Sequence, residues 1–495
     1  MPDWPDQPWI LEINAWTWLT GLSARFGRRI TLDSVPKLIW DHLARTSADG
    51  VWLMGVWRRS SLARSISLGN ASIVAECRAL LPDFSSEDLS GSPYAIGDYL
   101  VDPHLGGPSG LAEARRQLAS RGLCLLLDFV PNHVAPDHPW TREHPEYFVR
   151  GSGDVQQRDA DAFFRSGENV IARGRDPYFA PWPDTAQLNA FDAGLRAAAV
   201  DTVHAIAEQS DGVRCDMAML LINRVFSQTW SGRLGVVPPT EYWRELIAQV
   251  REVHPRYLFV AEAYWDLEWE LLQQGFDYCY DKRLYDRLVE GNAERIREHL
   301  AAPVDYQRRL IRFLENHDEP RATTVFPPSR NRAAVVALMT LPGAKLLQEG
   351  QFTGARIRLS VHLGRSPVES PDDELQTFYQ DLVDIVRAAE LPRGVWELCQ
   401  QRAWSDNQSG HNLISWCWQV SGRKYVVVVN LSDCRSQVQI IPPWNDLVGR
   451  GWRLRNLLPA QDYGRRNGDE MLAAGLHVDL DAQSFHFLEL VPLEA

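Results

Sequence analysis

The chain has 495 residues, 45% hydrophobic and 23% charged, with a formal net charge of −13 at pH 7. Those proportions exclude a disordered or collagen-like chain, and the acidic balance argues against a nucleic-acid partner, whose phosphate backbone wants a basic stripe. The length is too great for one simple core and predicts two or three units, one of them a large barrel.

The N-terminal stretch MPDWPDQPWILEINAW lacks the basic start and continuous apolar core of a signal peptide. No run of 18 apolar residues occurs, so no membrane partner is expected and the expected location is cytoplasmic. Short apolar runs then alternate with segments of helical period. ILEINAWTWL is followed by LDSVPKLIWDHLARTSA and GVWLMGVW; LAEARRQLASRG precedes LCLLLDFVPNH, and DGVRCDMAML follows. TEYWRELIAQVREVH precedes YLFVAEAYW, and FDYCYD, RLIRFLENHDE, NRAAVVALMTL and KLLQEGQ complete the pattern. Strands that are apolar nearly throughout, separated by amphipathic helices, belong to a parallel sheet covered on both faces. Eight of them predict an α/β fold, a (β/α)₈ TIM barrel, and no glycine-rich phosphate loop follows any strand.

About 80 residues separate LLLDFVPNH from DGVRCDM, too many for one loop, and predict an inserted subdomain after the third strand. The expected organisation is barrel over residues 1–133, insertion over 134–205, barrel again over 206–394, and a C-terminal β-sandwich over 395–495. The last of these rests on the β-branched and aromatic runs NLISWCWQV, RKYVVVVNLS, SQVQIIP and SFHFLELVPL. Lysine occurs only at Lys37, Lys282, Lys345 and Lys424, which disfavours Schiff-base chemistry. The seven cysteines form no C-x-x-C pair, and several lie inside apolar runs, where they are read as small buried hydrophobes.

Polar residues collect where four of the strands end: Asp128, Asn132 and His133; Arg214 and Asp216; Glu262; Asn316, His317 and Asp318. Arg214 and Asp216 are two apart in a strand and share a face. One buried carboxylate is ordinarily a structural ion-pair partner, but four strands repeating the pattern point to an active-site mouth. Two chemistries use such a set. Acids on successive strands hold a divalent metal in enolase-type barrels, which also need a lysine or histidine base. Glycosyl transfer through an oxocarbenium-like transition state needs one carboxylate nucleophile and one carboxylic acid about 5 Å away.

The segments DFVPNH, GVRCD, VAEAY and ENHDEPR resemble, in order and spacing, the four characteristic regions of the α-amylase family of glycoside hydrolases and transglycosidases. The resemblance implies that Asp216 is the nucleophile of a retaining mechanism, Glu262 the acid and then base, and Asp318 the carboxylate that holds hydroxyls of the distorted sugar. It also implies substrate-binding roles for Tyr94, Asp128, His133, Arg214, His317 and Arg321, with Tyr94 stacking on the sugar and Arg214 orienting Asp216 while Asp128 braces Arg214.

ENHDEPR and APDHPW resemble exo-acting α-glucosidases, whose arginine, here Arg321, helps bind a terminal sugar. The aspartate of those enzymes three residues before the stacking tyrosine is Gly91 here, so the partner of Arg321 is missing or supplied elsewhere, with Asp98 the nearest acid in that loop. The Lys-His pair of endo-acting amylases is replaced by Met219 and Leu220. Asn132 matches a common calcium ligand, but the aspartate of the insertion is Gln187, so neither a metal nor any other cofactor is expected. Trp140 and Trp182 are candidate sugar platforms. The resulting expectation is a retaining hydrolase of short α-glucosides; a transglycosidase or isomerase of the same family, or a non-catalytic amylase-like binding protein, are the alternatives.

Overall fold

The structure, a computed structural model, describes residues 2–493. Eight parallel strands form its closed barrel: β1 (Trp9–Asn14), β2 (Gly50–Met54), β3 (Cys124–Phe129), β4 (Gly212–Cys215), β5 (Leu258–Ala261), β6 (Tyr278–Tyr280), β7 (Leu310–Arg312) and β8 (Ala344–Gln348). The order around the barrel is β1-β8-β7-β6-β5-β4-β3-β2, so every expected strand is present. Strands β2 to β5 are buried along their whole length, as their unbroken apolar runs require. The first apolar run is shorter as a strand than its sequence suggests. Asn14 accepts from the amides of Trp16 and Thr17 and caps the helix Ala15–Phe26, so the second half of ILEINAWTWL is helical.

The chain divides into two compact units, residues 1–280 with 357–368, and residues 281–356 with 369–495. In the first, β4 lies between β3 and β5, with Arg214 opposite Asp128 on one side and Val260 on the other. The segment after β3 forms a two-residue ribbon, His133–Val134 with Ala186–Gln187, and a hairpin, Phe163–Ser166 with Asn169–Ala172. It has its own apolar cluster, including Val134, Phe148, Ile171, Leu188 and Leu195.

In the second unit, residues beyond 394 form two antiparallel sheets. One has six strands, β9 (Val395–Leu398), β10 (Leu413–Val420), β11 (Arg423–Asn430), β12 (Gly451–Leu457), β13 (Ala460–Asn467) and β14 (Ser484–Pro492), in the order β9-β10-β11-β14-β12-β13. The other joins Gln400–Arg402, Ser436–Ile441 and Leu476–Leu480. Burial alternates along Ser436–Ile441, and its inward residues Val438 and Ile440 share a core with Val426, Val428, Trp452 and Leu488 of the larger sheet.

Candidate active site

Arg214 is the organising residue of the first unit's polar cluster. Its Nη1 donates to Asp216 Oδ1 at 2.6 Å and lies 3.4 Å from Asp128 Oδ1, while Nη2 stands 2.8 Å from Glu262 Oε2. No member of the group is more than 8% exposed at its side chain. The rings of Trp52, Tyr94 and Tyr280 surround the guanidinium carbon at 5.1, 5.3 and 5.8 Å. Burial alone would weaken the charged form, but Glu262, the two tyrosines and Asp216 overcome it and hold the guanidinium well above its ordinary pKa. One cation among three acids leaves a formal deficit of positive charge in a buried shell.

Backbone geometry fixes each acid. Asp216 N donates to Phe129 O at 2.9 Å and Glu262 N to Cys215 O at 3.1 Å, carrying the barrel ladder one residue past the ends of β4 and β5. Met217 has a positive φ of 45°, uncommon for a side chain of its size, and this turns its amide onto Glu262 Oε2 at 2.6 Å. Tyr264 donates its hydroxyl to Glu262 Oε1 at 3.1 Å. Asp128 accepts from Trp52 Nε1 at 3.0 Å, and its carbonyl oxygen accepts from Trp57 Nε1 at 2.8 Å. Tyr264 and the Met217 amide were not singled out in the sequence. Tyr264 had a signal, two residues beyond the glutamate in an extended stretch, whereas a main-chain donor in a left-handed turn leaves none.

His133 is buried, and burial pushes its imidazole down to about 4 despite the opposing pull of Asp216 and a bond to the Tyr94 backbone. It is therefore neutral at pH 7, with one ring nitrogen a donor and the other an acceptor. Trp182 faces it at 5.1 Å between ring centroids. Trp140 packs edge-on against Tyr147 and His138 on the insertion's apolar cluster. Asn132 is engaged by Gln187, whose Nε2 donates to both the Oδ1 and the carbonyl oxygen of Asn132 at 2.9 Å. Among the described residues no three His, Cys, Asp or Glu side chains gather in a metal-holding group, and no helix is long and apolar enough to cross a membrane.

The remaining expected residues belong to the second unit. Asn316 Oδ1 accepts from the amides of Asp318 and Glu319 at 2.9 Å, a turn that sets the Asp318 side chain outward at 45% exposure. His317 Nε2 lies 3.1 Å from Asp318 Oδ2. Arg321 is buried, and its partner is Glu315: Nη1 donates to Glu315 Oε1 at 2.7 Å, to Gln348 Oε1 at 2.8 Å and to the Glu349 carbonyl oxygen at 2.9 Å. The anion sought near Gly91 thus comes from six residues upstream in the arginine's own segment. Asp98 instead lies 3.7 Å from Arg58 in a pair more than a third exposed.

No family model matches the chain. It is 29% identical over 273 residues to α-amylase MalA of Haloarcula japonica, covering 53% of this chain and 36% of that one. It is 22% identical over 325 residues to α-amylase 3 of Dictyoglomus thermophilum, covering 61% of each. The chain therefore spans between about a third and three fifths of the length of these curated relatives. Among solved structures, the maltogenic α-amylase AmyB of Thermotoga neapolitana superposes with a TM-score of 0.69 over 98% of this chain and 99% of that one, at 19% identity, a likeness of fold.

Proposed function

We propose that the chain is a member of the α-amylase family and a retaining α-glycoside hydrolase acting on short α-glucosides, a reading that its likeness to two curated α-amylases supports. The observation that carries the reading is the single guanidinium of Arg214 spanning Asp216 and Glu262. Two carboxyl groups bridged in this way fit the separation of about 5 Å that retaining enzymes use. In this reading Asp216, aimed by Arg214, attacks the anomeric carbon. Glu262 gives its proton to the leaving oxygen, then takes one from the incoming water. Asp318 holds sugar hydroxyls where the distorted ring presents them, aided by His133 and His317, while Tyr94 stacks on the ring. The test is proton NMR of the first-released sugar: the α-anomer is expected, because two inversions restore the starting configuration, and β-anomer first overturns the mechanism.

A second reading, transfer to a sugar hydroxyl in place of water, is favoured by one feature. Tyr178, 68% exposed, meets Trp265 edge-on at 4.9 Å, and Trp265 is three residues past Glu262 with a left-handed φ of 64°. Such a corner suits a stacked acceptor sugar. Chromatography of products from maltose, trehalose, sucrose and maltoheptaose separates the two readings: only the constituent monosaccharides and shorter oligosaccharides mean hydrolysis, and longer or isomerised sugars mean transfer.

A further inference from the structure

Arg59 and Gly91 lie in the first unit, at the point where the chain departs from the exo-acting pattern it resembles. Arg59 ends the short strand Trp57–Arg59 just beyond β2. Its Nη1 donates to Ser90 Oγ at 2.5 Å and to the Gly91 carbonyl oxygen. Its guanidinium carbon lies 4.6 Å from the centre of the Trp16 ring, which in turn stacks on His104 at 4.4 Å. Burial draws the group down to about 9, against Asp102 and Tyr94, so it remains cationic at neutral pH.

Two glycines make this placement possible. Gly55 has φ 76°, and a Cβ there would come 3.2 Å from Arg59 Nη2 and 3.1 Å from Pro93. Gly91 has φ 87°, and a Cβ there would press on Arg64 at 3.3 Å. Both are left-handed positions that glycine takes without steric cost. The turn that Arg59 grips leads straight to Tyr94, whose amide donates to Ser92 Oγ at 3.2 Å and whose ring faces Arg214 at 5.3 Å. Two charge-assisted bonds from Arg59 Nη1 onto two acceptors of one short turn fix geometry more tightly than a surface pair would.

We propose that Arg59 is a positioning residue for glycoside cleavage: by clamping the Ser90–Gly91 turn against Trp16 it holds the Tyr94 ring over Arg214, so that the reacting sugar has a fixed wall to stack on. The proposal rests on the glycosidase reading above. It also explains why glycine suits position 91, since the loop is anchored there through a main-chain carbonyl.

A double-mutant cycle tests it. Arg59→Met, Tyr94→Ala and the double variant are compared in kcat and KM with maltotriose and 4-nitrophenyl α-glucoside. Arg59→Met is expected to lower kcat/KM by about tenfold to a hundredfold through misplacement of the ring. That loss should vanish in the Tyr94→Ala background, the double variant staying within about twofold of Tyr94→Ala alone. A merely structural arginine would depress both backgrounds by the same factor, and that additive result overturns the clamp. Should Arg59→Met fail to fold, Arg59→Lys decides in the same cycle. Its ammonium keeps the charge but not the planar fork, so a smaller loss is expected, again confined to the Tyr94 background; a loss that persists without Tyr94 overturns the proposal. A parent inactive on every α-glucoside brings down the glycosidase reading and the clamp together, whereas an active parent with additive effects brings down the clamp alone.

Discussion

Replacing Arg214 with methionine removes the one cation shared by Asp128, Asp216 and Glu262 while keeping most of the side-chain volume. The two close pairs, at 2.6 and 2.8 Å between polar atoms, place charge centres roughly 4 Å apart, where each interaction amounts to about 4 kcal/mol at an effective dielectric of about 20. Most of that offsets the cost of burying the ions, so the net loss on breaking the group is expected at about 3–5 kcal/mol at pH 7. Chemical denaturation at pH 7.5 measures it. Activity should fall further than stability explains, by at least about a thousandfold in kcat/KM, or about 4 kcal/mol, because the proposed nucleophile loses the contact that orients it. Arg214→Lys keeps a charge but not the fork, and should lie between parent and methionine variant. A methionine variant within about 1 kcal/mol of the parent at pH 7.5, and within tenfold in activity, would refute the idea that Arg214 holds the three acids.

Glu262→Gln should cripple α-glucosides with poor leaving groups far more than activated aryl glucosides, which need little protonation; equal losses on both in steady-state kinetics remove Glu262 from the acid role. His133, with its imidazole near 4 in the folded chain and about 6.5 unfolded, takes its proton in the unfolded state first. Stability is therefore undiminished above about pH 6.5 and declines as the pH falls toward 4, with His133 responsible for about 2 kcal/mol at pH 5. His133→Gln should flatten the change in urea midpoint between pH 7.5 and 5, and an unchanged slope contradicts the assignment. For substrate length, kcat/KM on di- and trisaccharides should exceed that on soluble starch by at least about tenfold, roughly 1.4 kcal/mol of discrimination, and comparable rates would indicate an open endo-acting cleft.

The barrel was legible because its strands are buried on both faces and so read as continuous apolar runs, interrupted only by the charges at their ends. Arg214 and Asp216 announced themselves by being charged where β4 is otherwise closed to water. Their distances to Asp128 and Glu262 depend on register between strands far apart in sequence, and the pairing of Arg214 opposite Asp128 supplied it. The boundary of β1 was less legible, because a capping asparagine within an apolar run turns the same hydrophobic string from strand to helix. Trp140 shows the limit of composition: an aromatic in an insertion is equally suited to a platform and to a small core, and His138 and Tyr147 decide for the core.

Arg321 carries the argument about substrate length furthest. A missing aspartate at position 91 suggested an arginine without a partner and a terminal site open at its far end. Glu315 removes that inference, since a carboxylate, a side-chain amide and a carbonyl on one nitrogen hold the buried arginine in place. What Gly91 changes is therefore the anchoring of the Tyr94 loop rather than the charge balance of Arg321. Position 91 can lose its carboxylate because Arg59 grips its main chain, and position 321 can keep its arginine because position 315 supplies the acid. The two substitutions that looked like a broken pair are two separately satisfied residues, and the expected preference for short substrates then rests on the inserted segment and on Met219 and Leu220, which are both buried.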